Sequence, residues 1–332
     1  MTRTPGHGVG VHEKHWKEDK VACLLTLKDQ TFAEDPHPEP PQCFLDPPEV
    51  DKLVRELQAH HGPRQENELP QLADLRLGRQ AVPAGAQAPA AAIPRRQRLW
   101  PPQRTQNSRT CVATMAESAT FGKMVVAEAY RRNFQAATRG ALLGDGSAWI
   151  WHEQQKWFGW LEPVTDFVHA LSYLYVTATV LADSVAERWQ LYVGWMTLSW
   201  KGRVAEVIAD LEGRLGQLGP PADTSHPSPM EAREVLRRCV TYLRNNEPRM
   251  KYSDYRRQGL PVSSSMVESL IKEVNYRVKG TEKFWDHPEG AEAILQVRAA
   301  VLSDDDRLAS HIQGRPGSAF RRHTNRKPPK AA

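Results

Sequence analysis

The rhythm of apolar and polar positions changes several times along the chain. Lys20–Leu27 (KVACLLTL) is a short apolar run rich in strand formers and predicts a strand. Asp35–Pro48 carries six prolines and predicts an extended, irregular connection. Val50, Leu53, Val54 and Leu57 then fall at i, i+3, i+4 and i+7, a short amphipathic helix that begins near Pro48. Period is lost from residue 62 to about residue 108. Within that stretch Ala81–Arg104 holds five prolines and seven alanines, a composition that buries too little surface to order itself and reads as a solvated tether.

Order returns near Val112. Met115–Ala137 reads as a helix stopped by Gly140. Ala141–Gly144 (ALLG) predicts a short strand running into the turn pair Asp145-Gly146. A Trp-rich helix follows, and Glu162–Asp166 (EPVTD) predicts a second short strand. Phe167–Gly202 is apolar and helical with a break near Asp183-Ser184, and Val204–Leu218 continues as a helix. Beyond a second linker at Gly219–Pro229, helices are predicted over Pro229–Asn246, Met266–Lys279 and Pro288–Leu302. Strand and helix alternate early and helices dominate later, which predicts an α/β core carrying a large helical insertion.

Composition narrows the classes. The 332 residues are 40% apolar and 25% charged, which suits a mostly globular chain of about two domains. No apolar run reaches the roughly 18 residues of a membrane span; the nearest, Leu171–Ala182, is interrupted by Ser172, Thr177 and Thr179. The first sixteen residues have no apolar core of a signal peptide. Cys23, Cys43, Cys111 and Cys239 are widely spaced with no CxxC pair, which argues against a disulfide scaffold or zinc knuckle and for a cytoplasmic, reducing setting. The net charge of +5 permits a nucleic-acid partner without requiring one.

Three acids stand where chemistry could use them. Asp145 ends an apolar strand between two glycines, a common way to hold a divalent metal at a sheet edge; Asp-Gly is equally a favoured turn pair. Asp166 and His169 share a helix face and could bind metal, or Asp166 caps the helix while His169 packs. Glu268 begins a face continued by Lys272, Asn275 and Lys279, beside a buried stripe of Val267, Leu270, Ile271, Val274 and Val278. That face suits a metal ligand beside a phosphate track, yet Ser265-x-x-Glu268 is also a capping box.

Basic residues crowd this region. Arg244, Arg249, Lys251, Arg256 and Arg257 precede the Glu268 helix with Tyr242, Tyr252 and Tyr255 among them, and Arg277, Lys279, Lys283 and Trp285 follow. Cations interleaved with aromatics suit a nucleic-acid backbone and unstacked bases. Seven of the ten tryptophans fall between Trp149 and Trp200, which points first to packing within the helical region and second to stacking on bases.

The segments FGKMVVAEAYRRNFQAA, LLGDGSAWIW, DFVHALSYLY, YRRQGLPVSSSMVESLIKEVNYRVKGTEKFW and GAEAILQVRAAVLSDDDR resemble a bacterial insertion-sequence transposase of the DDE class, ISKra-type. The resemblance runs from Trp16 to Arg322 apart from the Pro/Ala-rich stretch, and its C-terminal block is the most specific part. It implies an α/β fold with an RNase H-like core and a large all-helical insertion. Asp145 and Glu268 would be catalytic acids and metal ligands for Mg2+ or Mn2+, with Asp166 and His169 supporting. Arg249, Lys251, Arg256, Arg257, Lys272, Arg277, Lys279 and Lys283 would position double-stranded DNA, the transposon ends and target. A homodimer is a candidate assembly, without a membrane partner and in a nucleoid-associated cytoplasmic location. Such enzymes use two-metal phosphodiester chemistry.

The family's first acid lies on a first strand upstream of a run like His15–Val21 (HWKEDKV), and Met1–Lys14 holds no strand bearing an Asp. The expectation is an N-terminally truncated, weakly active or inactive copy whose core lacks its first strand. Non-catalytic DNA binding or oligomerisation, and an unrelated metal-dependent hydrolase, are the competing readings. The expected organisation is a flexible lead-in at 1–19, a partial core strand and helix at 20–61 and a Pro/Ala-rich linker at 62–110. An RNase H-like core with Asp145 follows at 111–170, then a helical insertion at 171–258, C-terminal core helices with Glu268 at 259–305 and a basic tail at 306–332.

Overall fold

The computed structural model describes residues 18–28, 30–60, 69–77, 105–219, 231–264, 270–278 apart from 272, 285, and 288–317. The chain is mixed α/β and mostly helical, with two two-stranded sheets among the described residues. They divide into two compact units. One gathers the described residues up to Thr26, Gln106–Ala116 and those from Leu270 onward; the other gathers those of Leu27–Thr105 and Glu117–Ser269.

The first unit is built on strand β1 (Lys20–Lys28) paired with β2 (Thr105–Thr114). Against them pack Leu270, Val274 and Val278 and a helix that begins at Pro288, where proline's fixed φ suits a first turn. Leu270, Val274 and Val278 repeat at four-residue spacing, as do Ala291, Leu295 and Ala299, so each segment turns one stripe to the same apolar cluster. Polar ties fasten the register. Glu292 accepts from the Thr114 hydroxyl at 2.8 Å and the Met115 amide at 2.7 Å, and Ser303 Oγ accepts from the Cys111 amide at 3.0 Å.

The second unit holds most of the helices. In order these are α1 (Pro47–His60), α2 (Ser118–Arg131), β3 (Ala141–Gly144), α3 (Ala148–Trp157), β4 (Glu162–Thr165) and α4 (Phe167–Leu181). Then come α5 (Val185–Trp200), α6 (Val204–Gln217), α7 (Ala232–Asn246) and α8 (Tyr252–Arg257). In the first unit, α9 (Pro288–Val301) and α10 (Arg307–Gly314) complete the series. The predicted break in the long apolar stretch falls between α4 and α5, where Ser184 caps α5 by accepting from the Glu187 amide at 3.2 Å. Eleven of the fifteen residues of α4 are buried, so it forms the centre of the unit. Helices α1, α5 and α7 pack around it. Phe44, Phe167, Trp200 and Tyr252 form an aromatic cluster with edge-on contacts such as Phe167–Trp200 at 4.9 Å.

Two expectations change. The 62–110 linker is interrupted: Leu69, Leu72, Leu75 and Leu77 are all buried, and Gln58 of α1 clasps this segment by accepting from the Leu72 amide at 2.7 Å and donating to the Pro70 carbonyl at 3.1 Å. Four leucines at neither strand nor helix period escape a periodicity search, because a docked loop is ordered by its partner helix. Strand β2 likewise takes over Thr105–Thr114, whose first half (TQNSRT) is polar; pairing with β1, not local propensity, makes it a strand. Residues 62–68 and 78–104 lie outside the described residues. The expected basic tail also contains a helix, α10. No helix among the described residues is long and apolar enough to cross a membrane.

Candidate functional site

Strands β3 and β4 are parallel, with Gly144 opposite Thr165 as the last pair in register. The next residue on each strand is an aspartate. The carboxyl ends of parallel strands are where open α/β sheets bind ligands, and here Asp145 and Asp166 stand side by side, with the Asp166 amide donating to the Gly144 carbonyl at 2.8 Å.

Asp145 begins a tight turn. Its Oδ1 accepts from the Ser147 amide at 2.8 Å, an Asx turn that leads into α3. Gly146 takes φ +102°, and a Cβ there would sit 2.5 Å from Tyr242 Cε2 and 2.9 Å from Asn246 Nδ2, so glycine is required twice over. Helix α7 holds the turn from beneath. Tyr242 donates its hydroxyl to the Asp145 carbonyl at 2.8 Å, and its ring lies flat on Tyr173 with centroids 3.8 Å apart. Burial first, then the charges of neighbours that include Asp145 and Asp166, push the Tyr242 phenol well above its ordinary pKa, which keeps it a donor.

Asn246 ends the buried stripe of α7 (Val235, Leu236, Cys239, Val240, Leu243) and is itself buried. Its Oδ1 accepts from Trp151 Nε1 at 2.8 Å and from the Thr165 hydroxyl at 3.4 Å, and its Nδ2 donates to the Gly146 and Tyr242 carbonyls. One side chain thus joins both strand ends, α3 and α7. The sequence reading did not single it out; a polar residue closing an apolar helix stripe is the signal that could have found it.

Asp166 is buried and internally occupied. Its Oδ1 caps α4 through the Val168 amide at 2.9 Å, and its Oδ2 accepts from the amide and the hydroxyl of Ser264. The Phe167 amide donates to the Val262 carbonyl at 2.9 Å, so the Leu260–Ser264 segment is seated at the end of β4. His169 is half-buried one turn further along α4. Of the two readings open for Asp166, the structure shows the helix cap. Among the described residues no three His, Cys, Asp or Glu side chains lie close enough to hold a metal ion. Asp145 Oδ2 has no hydrogen bond among the described residues, so this carboxylate suits one metal ligand where Asp166 does not. Glu268 lies outside the described residues, as do Lys272, Lys279 and Lys283.

The described basic residues separate into different roles. The Arg249 guanidinium lies over the Trp151 ring at 4.7 Å and donates to the Asn245 carbonyl at 2.8 Å, with no carboxylate partner among the described residues. Lys251 is exposed at the start of α8, and Arg257 is exposed beside Asp254 at 3.5 Å. Arg277 is exposed in the other unit, over the Tyr276 ring. Arg256 departs from the expected DNA track. It is 2% exposed, forms a two-pronged ion pair with Asp35, donates to the Trp200 carbonyl at 2.9 Å and stacks on the Trp200 ring at 4.0 Å. A cation anchored inside the core cannot reach a phosphate at the surface.

The tryptophans mostly pack, as their size suggests. Trp151, Trp195 and Trp200 are buried and donate to Asn246, Asp210 and the His37 carbonyl; Trp160 is 41% exposed. Comparison with protein-family models, curated proteins and solved structures finds no match to this chain.

Proposed function

We propose that this protein handles DNA as a member of the DDE class of transposases, with an RNase H-like core whose site lies at the ends of β3 and β4. The observation that carries the reading is the pair Asp145 and Asp166 at adjacent carboxyl ends of parallel strands, with Ser264 fastened to Asp166. Glu268 follows Ser264 by four residues, which caps their Cα separation at about 14 Å by covalent reach alone. In this reading Asp145 and Glu268 hold Mg2+ or Mn2+, which polarises a phosphodiester and activates the attacking oxygen when bound. Asp166 acts by positioning: it starts α4 and anchors the segment leading to Glu268. Arg249 and Lys251 hold the backbone of the nucleic acid.

The test is strand cleavage and transfer of duplex DNA taken from the flanks of the coding region, with Mg2+ or Mn2+. Metal-dependent cleavage that Asp145→Ala and Glu268→Ala each abolish supports the proposal. Cleavage untouched by both substitutions overturns it. Salt-dependent DNA binding without cleavage, equal in both variants, leaves the non-catalytic DNA-binding reading. That alternative draws on Asp166, whose two carboxylate oxygens are both engaged inside the protein.

A further inference from the structure

Four cysteines are present as thiols, and two of them meet. Cys23 lies in β1 and Cys111 in β2, the two strands that pair. Cys111 lies in an apolar cluster against which Cys23 packs, and its own thiol donates to the Leu302 carbonyl at 3.6 Å. Cys23 is half-buried and reachable, whereas Cys111 is 2% exposed behind it. Two thiols on paired strands and in one apolar cluster suit a cross-strand disulfide, whose Cβ atoms lie about 3.5–4.5 Å apart.

We propose that Cys23 and Cys111 form a thiol–disulfide exchange site that accepts a low-molecular-weight disulfide, with glutathione disulfide as the type, and closes into a cross-strand bond between β1 and β2. The reachable Cys23 thiolate attacks one sulfur of the small disulfide, forming a mixed disulfide and releasing one thiol. The Cys111 thiolate then attacks the Cys23 sulfur and releases the second. Two protein thiols are oxidised, one small disulfide is reduced to two thiols, and the two protons end on the released thiols.

The surroundings favour this pair over the other two cysteines. The Cys23 side chain beside it first, and the nearby Arg109 charge, hold the Cys111 thiol below its ordinary pKa against the opposing effect of burial. Burial instead pushes Cys43 and Cys239 each up to about 12, which leaves them inert thiols at neutral pH. The bond would close a loop of roughly 87 residues, so the chain-entropy argument predicts a more stable oxidised form.

The full-length protein is equilibrated with millimolar glutathione disulfide, quenched with acid, digested without reduction and mapped by mass spectrometry. The expected result is a Cys23–Cys111 linked peptide, a fall from four titratable thiols to two, and a thermal midpoint raised by at least about 5 °C that reducing agent reverses. Cys23→Ser should leave Cys111 a thiol and abolish the thermal shift. A linkage to Cys43 or Cys239, four thiols remaining after equilibration, or a stable glutathione adduct on Cys23 with Cys111 unreacted would each overturn the proposal. The mapped linkage in the wild-type chain decides the matter even if a serine variant folds poorly.

Discussion

Tyr242 donates its hydroxyl to the backbone carbonyl of Asp145 at 2.8 Å, so a residue on α7 fixes the turn that presents the candidate acid. The contact crosses 97 residues of sequence, yet it is backed on both sides: the Tyr242 ring stacks on Tyr173, and Asn246 one turn later holds the Gly146 carbonyl. The carboxylate is thereby aimed by a rigid helix instead of a free loop, as a functional acid on a tight turn requires.

Tyr242→Phe keeps the stack and removes the hydrogen bond. The expected cost is about 1 kcal/mol, read as a lowered urea midpoint at unchanged slope. Gly146→Ala should cost more, on the order of 2–3 kcal/mol, because it adds a Cβ against Tyr242 and Asn246 at positive φ. Equal stability of Gly146→Ala and the parent protein would mean that the turn is not held as described.

Asp166→Ala should be among the more damaging surface-distant changes in the second unit. It removes the α4 cap and strands the amide and hydroxyl of Ser264, for a combined loss of roughly 2–4 kcal/mol. A double-mutant cycle with Ser264→Ala should give a coupling of about 1 kcal/mol or more, and a coupling near zero would show that the two do not act together. Amide exchange at Ser264 should accelerate in the single Asp166→Ala variant.

Much of the architecture was legible because it is local. Val50, Val54 and Leu57 announce α1, the ALLG and EPVT runs announce β3 and β4, and Asp166 carries the side-chain type of a helix cap where the helix starts. What escaped is ordered from a distance. Leu69–Leu77 depends on Gln58, the polar half of β2 depends on β1, and Asn246 is defined by three partners outside its own helix, Trp151, Thr165 and Gly146. Arg256 shows the opposite failure. A dense basic stretch looks uniform in sequence, but an upstream carboxylate, Asp35, draws one member inward.

Glu234 gives the stability a dependence on acid pH. Arg237 Nε and Arg238 Nε donate to its carboxylate at 2.7 and 2.6 Å in the first turn of α7, where the helix dipole also favours an anion. The Arg237 hydrogen bonds, opposed by burial and reinforced by Arg238, hold its pKa at about 2, against an ordinary 4.5. A depressed folded-state pKa means that the carboxylate's contribution is complete above about 4.5 and lost as pH falls toward about 2. Thermal melts of the wild type and Glu234→Gln should therefore diverge near neutral pH and converge across that window. Parallel curves down to acid pH would refute the assignment.

Arg249 and Arg256 sit seven residues apart and should fail for different reasons. Arg256 is buried, and its removal leaves Asp35 uncompensated; the hydrogen bonds from Arg256 hold that carboxyl below its usual range in spite of the burial that opposes them. Arg256→Ala should cost about 3–5 kcal/mol, a large share of a typical total stability, so any loss of DNA binding would track loss of fold by circular dichroism. Arg249 is half-buried on the Trp151 face without a carboxylate partner among the described residues. Arg249→Ala should leave the fold intact, weaken duplex binding by roughly tenfold and reduce the slope of log affinity against log salt by about one. Lysine at 249 should restore most of the salt slope, because a phosphate contact needs the charge, while losing the stacked, fork-shaped geometry. If Arg249→Ala binds duplex DNA as the parent does at every salt concentration, Arg249 does not hold a phosphate, and the DNA-handling reading of this residue fails.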